Sequence, residues 1–488
     1  MKIPELGVGI IYFSGFEETI AANPELIQVI EIEPQTFWYR LHNGLAAYAY
    51  DEAAVNYLSS LNKPITFHGV GYPVAGSLPA DTMHLQCLYK MMERLQPVTL
   101  SEHLSFNNLS INNELYNTNF LLSPLQTDEG INTAVAGITN YKKNFDIPFL
   151  FETGVNYLAP LPFEIEDGAF VNKIAEKADC NILLDIHNVL VNEKNGRQKV
   201  TDYFNQLSHE RITQIHLAGG FYFNGYYLDA HSGPSNDEVI ELFEMIVRRL
   251  PNLKAITFEM LPEYITMVPQ KDITLQLEKM NRIWDKRGTN CKRRHQPVNS
   301  NNSAATSYTP SVSEWENTLG LLAIKRPLKS KTVLAETLIK DKGITIIQDL
   351  IEKFKGSLLV SSLKLTCRYL MLTLGMENFN TLLRTFWQEA SPKLFASDNG
   401  TDFANYLLQQ KSILTDRILV ELIQYELASL KSFTENTTVT VEMSYNPLNM
   451  IEALKQRKIP AFRSTKDYLI EITPDETIVD QIKTVFHS

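Results

Sequence analysis

Eight short apolar runs dominate the first 260 residues, and each is followed by a polar tip and then by a stretch able to form a helix. The runs are nearly continuous in Ile, Val, Leu and Phe, which is typical of strands buried on both faces of a parallel sheet. Eight of them within about 280 residues predict a closed (β/α)₈ TIM barrel, with a doubly wound open sheet as the alternative. They occupy residues 6–12, 26–34, 65–71, 97–106, 148–155, 180–189, 212–220 and 255–261.

The remainder of the 488 residues is too long to belong to the same core, so the sequence predicts a second domain. Residues 286–315 are rich in Asn, Ser and Thr and have little apolar pattern, which indicates a flexible linker between a barrel domain at 1–285 and a second domain at 316–488. Amphipathic helical patterns at 345–359, 379–390 and 416–430 precede two alternating runs at 437–445 and 467–474. The second domain is therefore expected to be mainly helical, with a small α+β portion.

Composition and charge narrow the class of protein. A formal net charge of −11 opposes binding to nucleic acid, which needs clustered Lys and Arg. The sequence has no apolar run of about 18 residues and no basic, apolar leader, so we expect no membrane association and a cytoplasmic location. The four cysteines form no CxxC pair, which argues against a disulfide framework or a zinc knuckle.

The polar tips form an unusual set of side chains. In a TIM barrel the active site lies at the carboxyl ends of the strands, so the tips can be considered together as one surface. Five of the ten histidines lie at these tips or in the loop after the seventh run. The ligand-type residues there are His68, Glu102, His103, Glu152, Asp185, His187, Asn188, His216, Asp229, His231 and Glu259.

Imidazoles and carboxylates in this concentration indicate a metal site, because they are the ligands that iron, manganese and zinc accept. A structural, hydrogen-bonding role is the simpler explanation for any one of these residues. It does not explain why so many of them lie at the strand ends. A mononuclear catalytic site usually takes about three protein ligands, so the nine of these side chains other than Glu102 and His187 are enough for two or three ions. No tip carries cysteine, which disfavours an iron–sulfur cluster.

The order of these motifs resembles the multinuclear non-haem iron-dependent oxidative enzymes, the family that includes the methanobactin biosynthesis oxidase. The resemblance rests on "EIEPQTFW", "HGVG", "SEHLSF", "FETGVNYL", "DIHNVLVN", "HLAGG", "DAHSG" and "FEM" in that order. It implies a TIM barrel holding two or three iron ions that use O₂ to oxidise a residue of a ribosomally made precursor peptide. The expected target is Cys, or else Asp or Asn.

The resemblance also implies a ligand set at matching positions. This sequence departs from the family's usual motifs at three places, one of them being Met260 and Leu261 after Glu259, where the family often has an acidic or polar residue. We expect Asp229, His231 and His187 to take part in catalysis. His187 stands where the family usually has Asn, and Gly220 where it commonly has His. The implied metal ligands are His68, His103, Glu152, Asp185, Asn188, His216, Asp229, His231 and Glu259.

The second domain resembles the helical partner proteins that accompany these oxidases, through residues 367–410 and 419–430. The resemblance implies that a separate partner protein is replaced by a domain fused in cis, which holds the leader of the precursor peptide. Fusion would raise the effective concentration of this partner domain at the mouth of the barrel. A domain that only stabilises or dimerises the chain is the simpler alternative.

Two other classes of enzyme are compatible with metal ligands at the strand ends of a TIM barrel. Tri-zinc endonucleases and divalent-metal sugar isomerases of the xylose isomerase type also place His, Glu and Asp at strand ends. The acidic net charge opposes a DNA phosphodiesterase. An isomerase would ordinarily add a base such as lysine near the metals, and no tip carries lysine. A non-catalytic binding module would have no need for so complete a ligand set.

Overall fold

A computed structural model describes residues 2–42, 48–72, 74–79, 82–288, 308–328, 330–460 and 468–474. The strands are β1 (Gly7–Ile11), β2 (Val29–Ile32), β3 (Trp38–Arg40), β4 (Tyr48–Tyr50), β5 (Ile65–Gly69), β6 (Leu100–His103), β7 (Phe106–Ile111), β8 (Glu114–Leu122), β9 (Phe149–Glu152), β10 (Asn181–Asp185), β11 (Ile212–Leu217), β12 (Phe221–Phe223), β13 (Tyr226–Leu228), β14 (Ala255–Phe258), β15 (Val439–Met443) and β16 (Tyr468–Ile472).

The helices of the first part of the chain are α1 (Glu17–Ala22), α2 (Glu52–Ser60), α3 (Thr82–Leu95), α4 (Asp128–Lys142), α5 (Asp167–Lys177), α6 (Ile186–Lys194), α7 (Val200–Asn205), α8 (Asp237–Val247), α9 (Pro262–Ile265) and α10 (Gln270–Trp284). Those that follow are α11 (Val312–Ala323), α12 (Val333–Ile339), α13 (Lys342–Ser362), α14 (Lys364–Leu374), α15 (Met376–Glu389), α16 (Ala396–Leu408), α17 (Lys411–Leu414), α18 (Arg417–Glu435) and α19 (Pro447–Lys455). Two 3₁₀ turns lie at Pro34–Phe37 and His209–Arg211.

Eight parallel strands close into a barrel in the order β1-β14-β11-β10-β9-β6-β5-β2. Each of the eight predicted apolar runs contains one of these strands, so the predicted TIM barrel is confirmed. Closure excludes the open-sheet alternative, because β1 pairs with both β14 and β2. The sequence did not predict the hairpins β3–β4, β7–β8 and β12–β13, of which the last two leave the carboxyl ends of β6 and β11.

The sixth apolar run changes from strand to helix in its middle. Strand β10 ends at Asp185 and helix α6 begins at Ile186. The carboxylate of Asp185 accepts a hydrogen bond of 2.9 Å from the backbone N–H of Asn188, as an N-cap does. His187 and Asn188 therefore lie in the first turn of α6. The apolar run at 180–189 had predicted them to lie at the end of the strand.

The chain forms two compact units, whose boundaries differ from the predicted domain boundaries. The first comprises residues 1–37 and 52–349, and the second comprises 38–51 and 350–488. The division between them falls inside α13, well beyond the predicted boundary at 315/316. Of the predicted linker at 286–315, residues 289–307 lie outside the described residues.

Helix α11 belongs to the first unit because its buried face contacts the segments that follow β5 and β8. Trp315 is fully buried, and its indole N–H donates to the carbonyl of Ser123 at 2.9 Å. The carboxylate of Glu316 accepts the backbone N–H of Ser77 at 2.7 Å and also its hydroxyl. Residues after the linker thus pack against the loops at the carboxyl ends of the barrel strands.

The second unit has its own core, formed mainly by helices α14 to α16 and α18 with the hairpin β15–β16. Its buried residues include Leu359, Phe379, Phe403 and Ile423. The hairpin β3–β4 belongs to this unit, where Tyr39 packs on Phe433 with ring centroids 4.2 Å apart. The mainly helical character predicted for this part of the chain is confirmed.

Within the described ranges, no single helix is long and apolar enough to cross a bilayer. One bent pair, Lys342–Ser362 with Lys364–Leu374, meets the length and composition requirements together.

Candidate metal centre

The register of the parallel strands brings the predicted ligands together. His103 on β6 lies directly opposite Glu152 on β9, and Asp185 on β10 lies opposite His216 on β11. Because the ends of neighbouring parallel strands meet at the same rim of the barrel, side chains far apart in sequence converge there.

Two groups of these side chains have ligand atoms close enough to share an ion. One consists of His68, His103 and Glu152, and the other of Glu152, Asp185, His216 and Glu259. Within each group the ligand atoms lie within 4.8 Å of one another. Glu152 is common to both groups, and a carboxylate can bridge two ions through its two oxygens.

The first group is compact. The Nε2 atoms of His68 and His103 lie 3.1 and 2.6 Å from Oε2 of Glu152. In the second group, Nδ1 of His216 lies 3.5 Å from Oε1 of Glu152 and 3.2 Å from Oε2 of Glu259. Two ligands at about 2.0–2.2 Å from one ion would be separated by comparable distances.

The remaining predicted ligands continue this arrangement, and two of them, Asp229 and His231, extend toward solvent. Nε2 of His231 lies 2.7 Å from Oδ1 of Asp229, and its Nδ1 lies 2.8 Å from Oε1 of Glu259. Asn188 donates from its side-chain amide to Oε1 of Glu152 at 3.5 Å and to the carbonyl of Thr153 at 3.2 Å. All nine predicted ligands therefore lie in one connected cluster.

Several buried atoms of these residues contact one another without an aligned hydrogen bond, and this arrangement fits metal ligands. Buried polar groups normally form hydrogen bonds, so an unpartnered one needs an explanation. Among the described residues, eight of the nine predicted ligands have a buried side-chain atom without an aligned hydrogen bond: His68 Nε2, Glu152 Oε2, Asp185 Oδ2, Asn188 Oδ1, His216 Nδ1, Asp229 Oδ1, His231 Nε2 and Glu259 Oε2. Nitrogen and oxygen donors without any thiolate suit iron, manganese or zinc.

A ring of outer residues fixes which nitrogen each histidine presents. Nε2 of His216 lies 3.0 Å from Oε1 of Glu31, which leaves Nδ1 facing the cluster. Nδ1 of His68 lies 2.8 Å from the hydroxyl of Ser101, and Nδ1 of His103 lies 3.1 Å from the carbonyl of Gly69. Such partners orient metal-binding histidines and set their tautomer.

The sequence prediction missed several of these outer residues. Glu31 accepts hydrogen bonds from Gln214 and from the hydroxyl of Thr257, the latter at 2.7 Å. The sequence did contain a signal for them, since Ser101, Gln214 and Thr257 lie on barrel strands and each precedes a predicted ligand by two residues. Side chains two apart on a strand point the same way, here into the barrel.

The cluster concentrates negative charge. Burial opposes ionisation of Glu152, but His103 and His68 outweigh it and hold the pKa of this carboxyl well below its usual range. Burial, with added repulsion from Glu152 and Asp229, raises the pKa of Asp185 well above its usual range. The site therefore needs positive counter-charge, either protons on the imidazoles or metal cations.

His187 occupies a separate position at the edge of the cluster. Its imidazole is fully buried, with Nε2 3.7 Å from Oδ1 of Asp229, and neither ring nitrogen has an aligned hydrogen bond among the described residues. A Cβ atom at Gly220 would lie 2.7 Å from that Nε2, so the glycine makes room for the ring. Two of the three departures from the family motifs, His187 and Gly220, are thus neighbours in space.

Gly220→Ala is expected to lower the free energy of unfolding by about 1–3 kcal/mol through overpacking. The added methyl would meet both the His187 ring and, at 2.2 Å, the carbonyl oxygen of Leu228. His187→Ala in the same chain should recover part of the loss, measured by chemical denaturation of the single and double variants. Gly154→Ala is the control, because no atom lies within 4 Å of its added Cβ. Strictly additive losses would show that ring and glycine are not coupled.

Comparisons with known sequences match the part of the chain that forms the barrel. A family model described as "RiPP precursor modification enzyme MbnB/TglH/ChrH" matches residues 7–271. UPF0276 proteins of Acaryochloris marina and Chromobacterium violaceum are 28% and 26% identical over 236 and 227 residues. These alignments cover 48% and 46% of this chain and 80% and 81% of the two relatives.

Solved structures with a similar fold are more distant in sequence. A D-psicose 3-epimerase of Clostridium cellulolyticum matches with a TM-score of 0.37 and 10% identity, over 57% of this chain and 96% of its own. A xylose isomerase domain-containing protein of Salmonella typhimurium matches with a TM-score of 0.39 and 13% identity, over 58% and 99% of the two chains. Since the family model spans all eight barrel strands and more than half of the residues, this chain belongs to the MbnB/TglH/ChrH family of RiPP precursor modification enzymes.

Proposed function

We propose that this protein is an iron- and O₂-dependent oxidase that modifies one residue of a ribosomally synthesised precursor peptide, most simply a cysteine and otherwise Asp or Asn. The observation that carries the proposal is Glu152, which belongs to both metal-binding groups. A shared carboxylate supports a multinuclear centre, and an all-nitrogen-and-oxygen ligand set is compatible with redox-active iron.

Nine residues would hold the ions: His68, His103, Glu152, Asp185, Asn188, His216, Asp229, His231 and Glu259. Two or three bound iron ions would supply electrons to O₂, a chemistry that no side chain of this chain supplies. The protein's own contribution is to fix the ligands. Glu31 orients His216, and Ser101 orients His68.

Exposure indicates the side from which the peptide reaches the centre. The side chains of His68, Glu152 and His216 are at most 1% exposed, whereas those of Asp229 and His231 are 20% and 12% exposed. We therefore place Asp229 and His231 on the substrate side. His187, buried behind Asp229, would restrict the positions open to that carboxylate.

The second unit would recruit the leader of the precursor in place of a separate partner protein. Its helical core and the two-stranded hairpin β15–β16 support this assignment, since a hairpin edge can add a peptide strand. Fused to the barrel, it would raise the local concentration of the core peptide at the metal centre. We place this activity in the cytoplasm.

Co-expression with a short peptide encoded beside the gene tests the proposed function. The full-length protein, produced with ample iron, should contain about two to three iron ions per chain. It should also change the mass of the peptide in air but not under argon. Tightly bound zinc with phosphoesterase or sugar isomerase turnover, and no O₂-dependent mass change, would contradict the proposal and support the hydrolase or isomerase class.

A further inference from the structure

An aromatic hairpin connects two parts of the metal centre. Strands β12 and β13 lie between His216 at the end of β11 and Asp229, which directly follows β13. The two strands are joined by Asn224 and Gly225, whose positive φ angles of 50° and 84° are those of a tight two-residue hairpin turn. The sequence "FYFNGYYL" places five aromatic residues in this short element.

The register of the hairpin determines which backbone groups face outward. Phe223 pairs with Tyr226 beside the turn, and Tyr222 pairs with Tyr227. In a two-residue hairpin the pair beside the turn is hydrogen-bonded and the next pair is not. The N–H and C=O groups of Tyr222 and Tyr227 therefore point away from each other, toward the two outer edges.

One edge of the hairpin is closed by a side chain. Asn195, the residue that ends α6, accepts the N–H of Tyr227 at 2.9 Å and donates to the Tyr227 carbonyl at 2.9 Å. This pair of bonds replaces a neighbouring strand along β13. The edge of β13 is therefore unavailable for pairing.

The edge of β12 is open. Within the part of the chain that the structure describes, the backbone N–H and C=O of Tyr222 have no hydrogen-bond partner. Tyr222 is 64% exposed and the adjacent Phe221 is 41% exposed. An exposed strand edge with large apolar side chains is a ready site for pairing with another extended chain.

The base of the hairpin is fixed to the loop that carries Asp229 and His231. Ser232 donates its backbone N–H to the carbonyl of Gly219 at 2.9 Å, and the hydroxyl of Tyr227 donates to the carbonyl of Gly220 at 3.2 Å. The distance between the open edge of β12 and the loop that carries Asp229 and His231 is therefore fixed. A peptide held at the edge is held at a fixed distance from the metal centre.

We propose that the open edge of β12 binds the precursor peptide as an added antiparallel or parallel strand, with Tyr222 donating and accepting the main-chain hydrogen bonds. The inference rests on the proposed function, because the occupant is the substrate of the neighbouring centre. A peptide strand on this edge lies about 9–10 Å from β13, or two strand spacings, so about three further peptide residues reach Asp229. The edge thus selects which residue of the peptide is modified.

Two substitutions separate main-chain pairing from side-chain packing. Tyr222→Pro removes the N–H donor, and proline is tolerated on a strand edge where that N–H is not used within the hairpin. Tyr222→Ala keeps the donor and removes the ring. Met245→Ala is the control. Met245 is also an exposed apolar residue, with 41% of its surface accessible, but it lies on the outer helix α8.

The affinity of the full-length protein is measured by fluorescence anisotropy with a fluorescein-labelled synthetic peptide of the short reading frame beside the gene. Tyr222→Pro should weaken binding by about tenfold, Tyr222→Ala by less, and Met245→Ala not at all. Hydrogen exchange at the Tyr222 amide of the wild-type protein should slow when the peptide is added.

The outcomes distinguish this inference from the proposed function. Wild-type protein that modifies the peptide, while Tyr222→Pro binds it normally and the Tyr222 amide exchanges at an unchanged rate, would overturn the inference and leave the function standing. A dimer that dissociates in Tyr222→Pro with unchanged peptide affinity would assign the edge to a second copy of the chain. If the wild-type protein neither binds nor modifies the peptide, both are overturned.

Discussion

Glu152→Gln is expected to reduce metal binding at two positions at once. Glu152 belongs to both groups of ligand atoms, and its oxygens lie 2.6 Å from Nε2 of His103 and 3.5 Å from Nδ1 of His216. Glutamine keeps the shape but loses the charge and one acceptor oxygen. Since removal of an outer partner alone costs about 10–100-fold in metal affinity, loss of this shared ligand should cost at least about 100-fold.

The measurement is the iron content of purified protein, together with the mass change of the co-expressed peptide. Glu316→Gln is the matched control, because Glu316 is also a buried glutamate of the first unit but binds Ser77 rather than the cluster. The control should retain its iron. Full iron content in Glu152→Gln would show that this carboxylate is not a ligand.

Arg197→Ala is expected to be the most destabilising single substitution considered, at about 3–5 kcal/mol of unfolding free energy, because it leaves buried charges unpaired. The buried guanidinium donates to Asp167 at 2.6 Å, to Glu164 at 3.0 Å and to the carbonyl of Leu158 at 2.9 Å. It also donates to the side-chain oxygen of Gln126 at 2.6 Å, and its Nε donates to Asp167 at 3.0 Å. One side chain thus joins the segments that follow β8 and β9.

Chemical denaturation of the two variants Arg197→Ala and Arg248→Ala tests this expectation. Arg248 forms an exposed pair with Glu244 at 2.7 Å, one helical turn away, and its loss should cost at most about 0.5 kcal/mol. Similar losses in the two variants would contradict the buried-charge explanation. Because the β9 loop begins after Glu152, we also expect the iron content of Arg197→Ala to fall.

Much of the candidate site could be predicted from the sequence because of a geometric constraint. In a closed parallel barrel the carboxyl ends of all strands converge, so His68, Glu152 and His216 could be grouped without knowing any distance. The outer residues Ser101, Gln214 and Thr257 were also accessible from the two-residue alternation of strands. His187 was not placed correctly, because capping by Asp185 begins the helix before it.

The sequence by itself determined the number and type of barrel strands and the ligand-type residues at their tips, since both follow from local apolar pattern and chain order. Only the tertiary structure decided which ligand-type side chains lie close enough to share an ion, because that depends on strand register. It also decided that α11 packs on the barrel, that Arg197 joins two distant loops, and that Asn195 closes one hairpin edge while Tyr222 leaves the other open. These contacts join residues far apart in the chain, and no local pattern encodes which partner a polar or amphipathic segment will meet.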